Sequence, residues 1–120
     1  MWDWSLCENE PARFENLVAS NLLKYCHWLE DCDGDRMELR FLRDAARREI
    51  DFVVTRNRKP IFAVECKTGE QNLSRNIAYF AERTNIPLFY QVHMGTKDVE
   101  IANSRARILP MNKLAAILGV

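Results

Sequence analysis

Apolar and polar positions along the chain fall into two alternating periods, one helical and one of strand type. From Pro11 onward, Phe14, Leu17, Val18, Leu22 and Tyr25 recur at helical spacing, which predicts an amphipathic helix of about 15 residues opened by the proline. Glu15 lies beside that stripe. The acidic segment EDCDGDR then reads as a turn around Gly34. Next come MELRFLRD, REIDFVVTR and PIFAVECKT, strand-like runs separated by short polar turns, the second turn being Asn57-Arg58-Lys59-Pro60. They predict an antiparallel meander. Asn72 is placed to cap a helix with Leu73, Ile77, Phe80 and Ala81 on one face, and Pro87 opens the strand LFYQV. After a Gly95 turn, VEIAN and RARIL pair as a hairpin, and Asn112 starts a short helix using Leu114, Ile117 and Leu118. The order α-β-β-β-α-β implies an α/β fold, a mixed sheet flanked by helices, because the strand after the second helix returns parallel through a crossover.

Composition narrows the class. The 120 residues suit one domain spanning 1–120, and 48% apolar with 28% charged residues is ordinary globular usage. Lys plus Arg equals Asp plus Glu at 17 each, so no global field draws the chain to nucleic acid or an anionic membrane, and any such contact needs a local patch. Cys7, Cys26, Cys32 and Cys66 form no CxxC pair and read as reduced thiols. No apolar run approaches the roughly 20 residues of a membrane span, and the N-terminus lacks a signal core, so a cytoplasmic location is expected. The DxDGD-like stretch resembles part of a calcium loop but lacks the later ligands and the closing glutamate.

The chemistry lies in the strands. Alternation puts Ile61, Ala63, Glu65 and Lys67 on one face and Phe62, Val64 and Cys66 on the other, so an apolar face ends in a carboxylate and an ammonium. The same alternation groups Glu49, Asp51, Val53 and Thr55, and aspartate is a poor strand former. Two carboxylates brought together from adjacent strands repel, and a divalent cation removes that penalty. Asp51 and Glu65 are therefore the expected ligands, with the Cys66 carbonyl as a further oxygen, and hard oxygen donors suit Mg2+ or Mn2+. Lys67 would orient an attacking water, help its deprotonation or stabilise charge developing on a phosphate, while Glu15 reaches in from the first helix to bind a water or a second ion. On repulsion alone, removing either acid should stabilise the metal-free protein.

Asp51 followed by Glu65-Cys66-Lys67 resembles the PD-(D/E)xK nuclease motif, with Ile50 where its proline stands. The segments WDWS, RFENLVASNLLK, EIDFVV, IFAVECKTGE and RILPMNKL resemble the C-terminal domain of prokaryotic AAA-type ATPases over nearly the whole chain. The resemblance implies a restriction-endonuclease-like fold, Asp51 and Glu65 as metal ligands, Lys67 as the water-handling residue, Glu15 as a helix-borne acid, and an ATPase module upstream in a longer protein. No GxxxxGK[ST] occurs, so this chain does not hydrolyse ATP by that route.

Arg36, Arg40, Arg43, Arg47, Arg48, Arg56, Arg58 and Lys59 gather positive charge near the proposed site, as a phosphate backbone would require, although acids are interspersed among them. Trp2, Trp4 and Trp28 lie away from that stretch and read as core or domain-interface residues. Two functions follow. One is a divalent-metal-dependent nuclease acting on nucleic acid, DNA first. The other is an inactive domain of the same fold that binds nucleic acid or protein, or helps an AAA-type ATPase assemble into an oligomer. Lys67 favours the first, since an acidic remnant has no need of an ammonium there.

Overall fold

In the computed structural model, which describes residues 10–43, 48–69 and 71–120, the first helix, α1, spans Glu10–Asp33. Phe14, Val18, Leu22, Cys26 and Leu29 form its buried stripe, each four or three residues after the last. Burying one such leucine contributes about 1.5–3 kcal/mol relative to leaving it in water. The helix runs well beyond the expected length because Cys26 and Leu29 extend the stripe while Glu30, Asp31 and Asp33 stay on the solvent side. Gly34, at φ +71°, ends it, and its N–H donates to the Glu30 carbonyl at 3.0 Å. The acidic segment read as a loop is thus a helix end. Leu17, placed in the stripe by spacing, is 41% exposed.

Strands β1 (Met37–Arg43), β2 (Glu49–Arg56) and β3 (Lys59–Cys66) form the expected antiparallel meander. The β2–β3 turn places Asn57 and Arg58 at φ 52° and 71°, the mirror-image geometry that matches strand twist. Asn57 fixes the turn: its Oδ1 accepts from Arg36 N–H at 2.9 Å and its Nδ2 donates to Asp35 at 3.1 Å. Helix α2 (Arg75–Arg83) follows, capped by Ser74 rather than Asn72, then β4 (Phe89–His93), β5 (Val99–Ile101), β6 (Ala106–Pro110) and α3 (Met111–Leu118).

The sheet order is β1-β2-β3-β4-β6-β5, with β4 parallel to β3 and to β6, and β5 antiparallel to β6. The closing hairpin forms as expected, and its second strand inserts beside β4. One sheet face packs on α1 and α3 through Val18, Leu22, Phe62, Val64, Val92 and Leu114. The other packs on α2 through Ile77 and Phe80 against Val53, Ala63 and Phe89. These three layers make an α/β sandwich. Among the described residues no helix is long and apolar enough to cross a membrane.

Candidate functional site

Glu65 ends a run that is otherwise core. It follows Ala63 on the α2 side of the sheet and is 5% exposed. Its neighbour across the parallel ladder is Gln91, itself fully buried. The Gln91 amide holds backbone at both ends, since its Oε1 accepts from the Ser74 N–H at 2.7 Å and its Nε2 donates to the Asn72 carbonyl at 3.1 Å. Those bonds pin the loop before α2 over the end of β3. Asn76 ties the same turn to β2, donating from Nδ2 to the Glu49 carbonyl at 3.1 Å. Within this pocket Glu65 Oε2 is buried without a hydrogen-bond partner, and Lys67 Nζ stands 3.8 Å from it. Burial pushes the Glu65 carboxyl above its ordinary range, opposed by the Ser74 side chain and the Lys67 ammonium, while the charge of Asp51 raises it further.

Asp51 reaches this region through a break in the strand period. Arg40 pairs with Val53 but Leu42 pairs with Ile50, so Asp51 and Phe52 together face Phe41, which is a β-bulge. The bulge corrects the simple alternation expected for β2. Ile50 and Val53 both pack on the α2 side, so Asp51 does not share the direction of Val53 by plain alternation. Its Oδ2 instead accepts the Cys66 N–H at 2.8 Å, where β2 and β3 part. Lys67 N–H donates to the Val92 carbonyl, so by strand alternation the Cys66 carbonyl faces the same β2 side as its amide.

Glu15 comes from the exposed flank of α1 and shares a side-chain hydrogen bond with Asp51. Two carboxyl groups in contact need a proton between them. Burial, then the Asp51 charge, raises the Glu15 carboxyl; burial also raises Asp51, against the lowering effect of the Cys66 amide. The Lys67 ammonium lowers the Asp51 and Glu65 carboxyls, while Glu15 is linked to this group through Asp51 alone. The Cys66 thiol is pushed far up by burial and the surrounding acids, which removes it as a nucleophile.

A family model matches residues 12–114. The chain belongs to the family described as a domain of unknown function, DUF4143. Neither a curated protein nor a solved structure matches it. The matched span of the DUF4143 domain contains Glu15, Asp51, Glu65 and Lys67 together with every strand of the sheet.

Whether the donors of this DUF4143 domain suit a cation can be judged from the side chains. Among the described residues no group of three or more His, Cys, Asp or Glu side chains is arranged to hold a metal ion. The available oxygens are therefore sparse and come from two sides: Asp51 lines the cavity beside Glu15 of α1, whereas Glu65 Oε2 lies on the α2 side without a hydrogen-bond partner and 3.8 Å from the Lys67 ammonium, and the Cys66 carbonyl is a further oxygen. Magnesium suits such a set, since it is held through one or two carboxylates and keeps several waters. An orphaned carboxylate oxygen in a buried pocket is the feature a cation would satisfy.

Ion pairing reshapes the expected basic patch. Arg36 and Arg40 pair with Glu38, Arg43 with Glu49, and Arg56 with Asp33 and Asp35. Arg47, Trp2, Trp4 and Cys7 lie outside the described residues. Sequence reasoning missed Ser74, Asn76 and Gln91. The one signal for them was a glutamine inside the otherwise apolar LFYQV.

Proposed function

We propose that this DUF4143 domain is a restriction-endonuclease-like, divalent-metal-dependent nuclease that hydrolyses phosphodiester bonds in nucleic acid, DNA first. The observation that carries the reading is the buried Glu65 Oε2, without a hydrogen-bond partner, 3.8 Å from Lys67 Nζ and within the field of Asp51. Asp51, Glu65 and the Cys66 carbonyl would hold Mg2+ or Mn2+, and the ion supplies charge neutralisation at the phosphate when bound. The residues do the rest. Water attacks phosphorus, the bond to the departing sugar oxygen breaks, that oxygen takes a proton from solvent water, and the negative charge developing on the phosphate is met by the Lys67 ammonium. Glu15 shares a proton with Asp51 in the metal-free site, so it would take the proton of the attacking water only in its carboxylate form, once that shared proton has gone.

A second reading rests on α1. Leu17, Leu23 and Trp28 are 41%, 40% and 54% exposed on that helix, apolar side chains that a neighbouring module could cover. The family is commonly found in AAA-ATPase-associated proteins, which supports a cytoplasmic chain with an upstream ATPase that this domain helps to assemble. Melting curves with and without MgCl2 or MnCl2, followed by assays on plasmid and single-stranded DNA, separate the two. A metal-dependent rise in Tm that Asp51→Asn and Glu65→Gln abolish, with cleavage, supports the nuclease. A chain that binds no cation and cuts nothing with its ATPase module restored supports assembly.

A further inference from the structure

Strand β1 lies at the sheet edge and displays Phe41, a residue 69% exposed directly opposite the Asp51–Phe52 bulge. The ring is not adrift. The Arg43 guanidinium lies 5.7 Å from its centroid, and Arg43 is itself held by Glu49 through hydrogen bonds of 3.0 and 3.2 Å. Phe41 and Arg43 form one wall of a cavity of about 270 Å³ whose other walls include Asn16, Glu15 and Asp51. An exposed aromatic ring thus shares a cavity with two of the acids proposed for catalysis.

The chemistry of the walls selects the occupant. Glu49 is paired with Arg43 and Glu15 shares a proton with Asp51, which leaves the walls with a net negative charge that repels a phosphate, and the acids also disfavour a purely apolar chain. A neutral, flat, polar-edged ring fits: it can stack on Phe41 and hydrogen-bond at its rim. In a duplex the faces of a base are taken by its neighbours, so only an unstacked base can lie on Phe41. We infer that the cavity between Phe41 and the Glu15–Asp51 pair receives one nucleobase, and that the substrate is single-stranded or locally opened nucleic acid. The base enters beside Phe41 while its phosphate stays outside the acidic walls. This inference rests on the nuclease reading of the same site for its catalytic meaning, but the base subsite itself can be tested alone.

The test is fluorescence anisotropy of the whole chain with a labelled single strand, as DNA and as RNA of the same sequence, and with the matching duplex. Expected are tighter binding of the single strand than the duplex, a loss of roughly five- to a hundredfold in Phe41→Ala, and retention in Phe41→Trp. Indole emission in Phe41→Trp should fall when the single strand is added, beyond any change seen in wild type. The DNA and RNA arms show which sugar is preferred, and stacking in either supports the subsite. Unchanged single-strand affinity in a folded Phe41→Ala overturns the inference. So does dimerisation that Phe41→Ala abolishes, because a second copy would then cover the ring. The Mg2+-induced rise in Tm, measured in parallel, should be equal in wild type and Phe41→Ala. If that rise is absent while Phe41-dependent binding persists, the nuclease reading fails and the base subsite stands; if the rise is present and Phe41 does nothing, the reverse holds.

Discussion

The Cys66 backbone N–H donates to Asp51 Oδ2 across 2.8 Å, so the acid proposed as a cation ligand also satisfies a backbone group where β2 leaves β3. This changes the prediction for its removal. Repulsion alone makes Asp51→Ala stabilising in the absence of metal, but alanine also strands the Cys66 amide in a partly buried place, at a cost of about 1–2 kcal/mol. Asp51→Asn keeps an acceptor and discards the charge. Urea denaturation in EDTA should therefore rank Asp51→Asn above Asp51→Ala by about 1 kcal/mol or more, with neither variant gaining stability from Mg2+. Equal midpoints for the two would show that the bond to Cys66 contributes nothing.

Glu65 predicts an unusual pH dependence. Its folded carboxyl titrates above its ordinary range because burial disfavours the charge, so between the unfolded value, about 4.3, and the raised folded one the native state holds more protons than the unfolded state. Stability then falls as pH rises through that window, the opposite of an ion-paired carboxylate such as Asp98, which Arg107 and Lys113 hold below its usual range. Glu65→Gln has no such proton to lose. Denaturation from pH 4 to pH 8 in EDTA should give a flatter profile for Glu65→Gln than for wild type, and Mg2+ should recover the wild-type loss near neutrality. Parallel profiles would remove Glu65 from the account.

Periodicity made most of the framework legible. The buried stripe of Phe14, Val18 and Leu22, the meander with its Asn57-Arg58 turn and the helix-linked return to β4 are local patterns, and each is present, although Leu17 of the expected stripe faces outward. What escaped depends on tertiary pairing. The bulge at Asp51 arises because β1 and β2 pair out of step around Phe41, which a period-two pattern cannot contain. Insertion of β6 between β4 and β5 is likewise a choice among distant partners. The arginines of β1 and β2 look like a patch in sequence because their acidic partners, Glu38, Glu49 and Asp35, count there as interruptions rather than as neighbours in space. Gln91 is visible as an oddity, but its bonds to the loop before α2 are not.

Arg58 offers a test of the meander that is independent of the site. At φ +71° an arginine carries steric strain that glycine does not, and Asn-Gly is the preferred pair for this turn. Arg58→Gly should raise the urea midpoint, by about 1 kcal/mol in unfolding free energy with an unchanged m-value. A lowered midpoint would mean that the turn adopts another geometry in solution.

Lys67 separates holding an ion from cutting a strand. Its ammonium sits 3.8 Å from Glu65 Oε2, with the lysine side chain 30% exposed, so it is both near the proposed ligand and open to a substrate phosphate. Carboxylates can bind a cation without any chemistry following. Hydrolysis further needs a group that stabilises the charge developing on phosphate, and losing one such donor typically costs about a hundred- to a thousandfold in rate. Lys67→Ala should therefore keep the Mg2+-induced rise in Tm, with an affinity that shifts because a neighbouring positive charge is gone, while cleavage of single-stranded DNA drops by that factor. Lys67→Arg, retaining the charge on a bulkier and less adjustable head, should fall between the two. Matched preparations of wild type and Lys67→Ala that degrade DNA at one rate would place the cleavage in a contaminant or another site. Loss of the Tm increment in Lys67→Ala would instead make the lysine part of what holds the ion, and the division of labour between Glu65 and Lys67 would have to be redrawn.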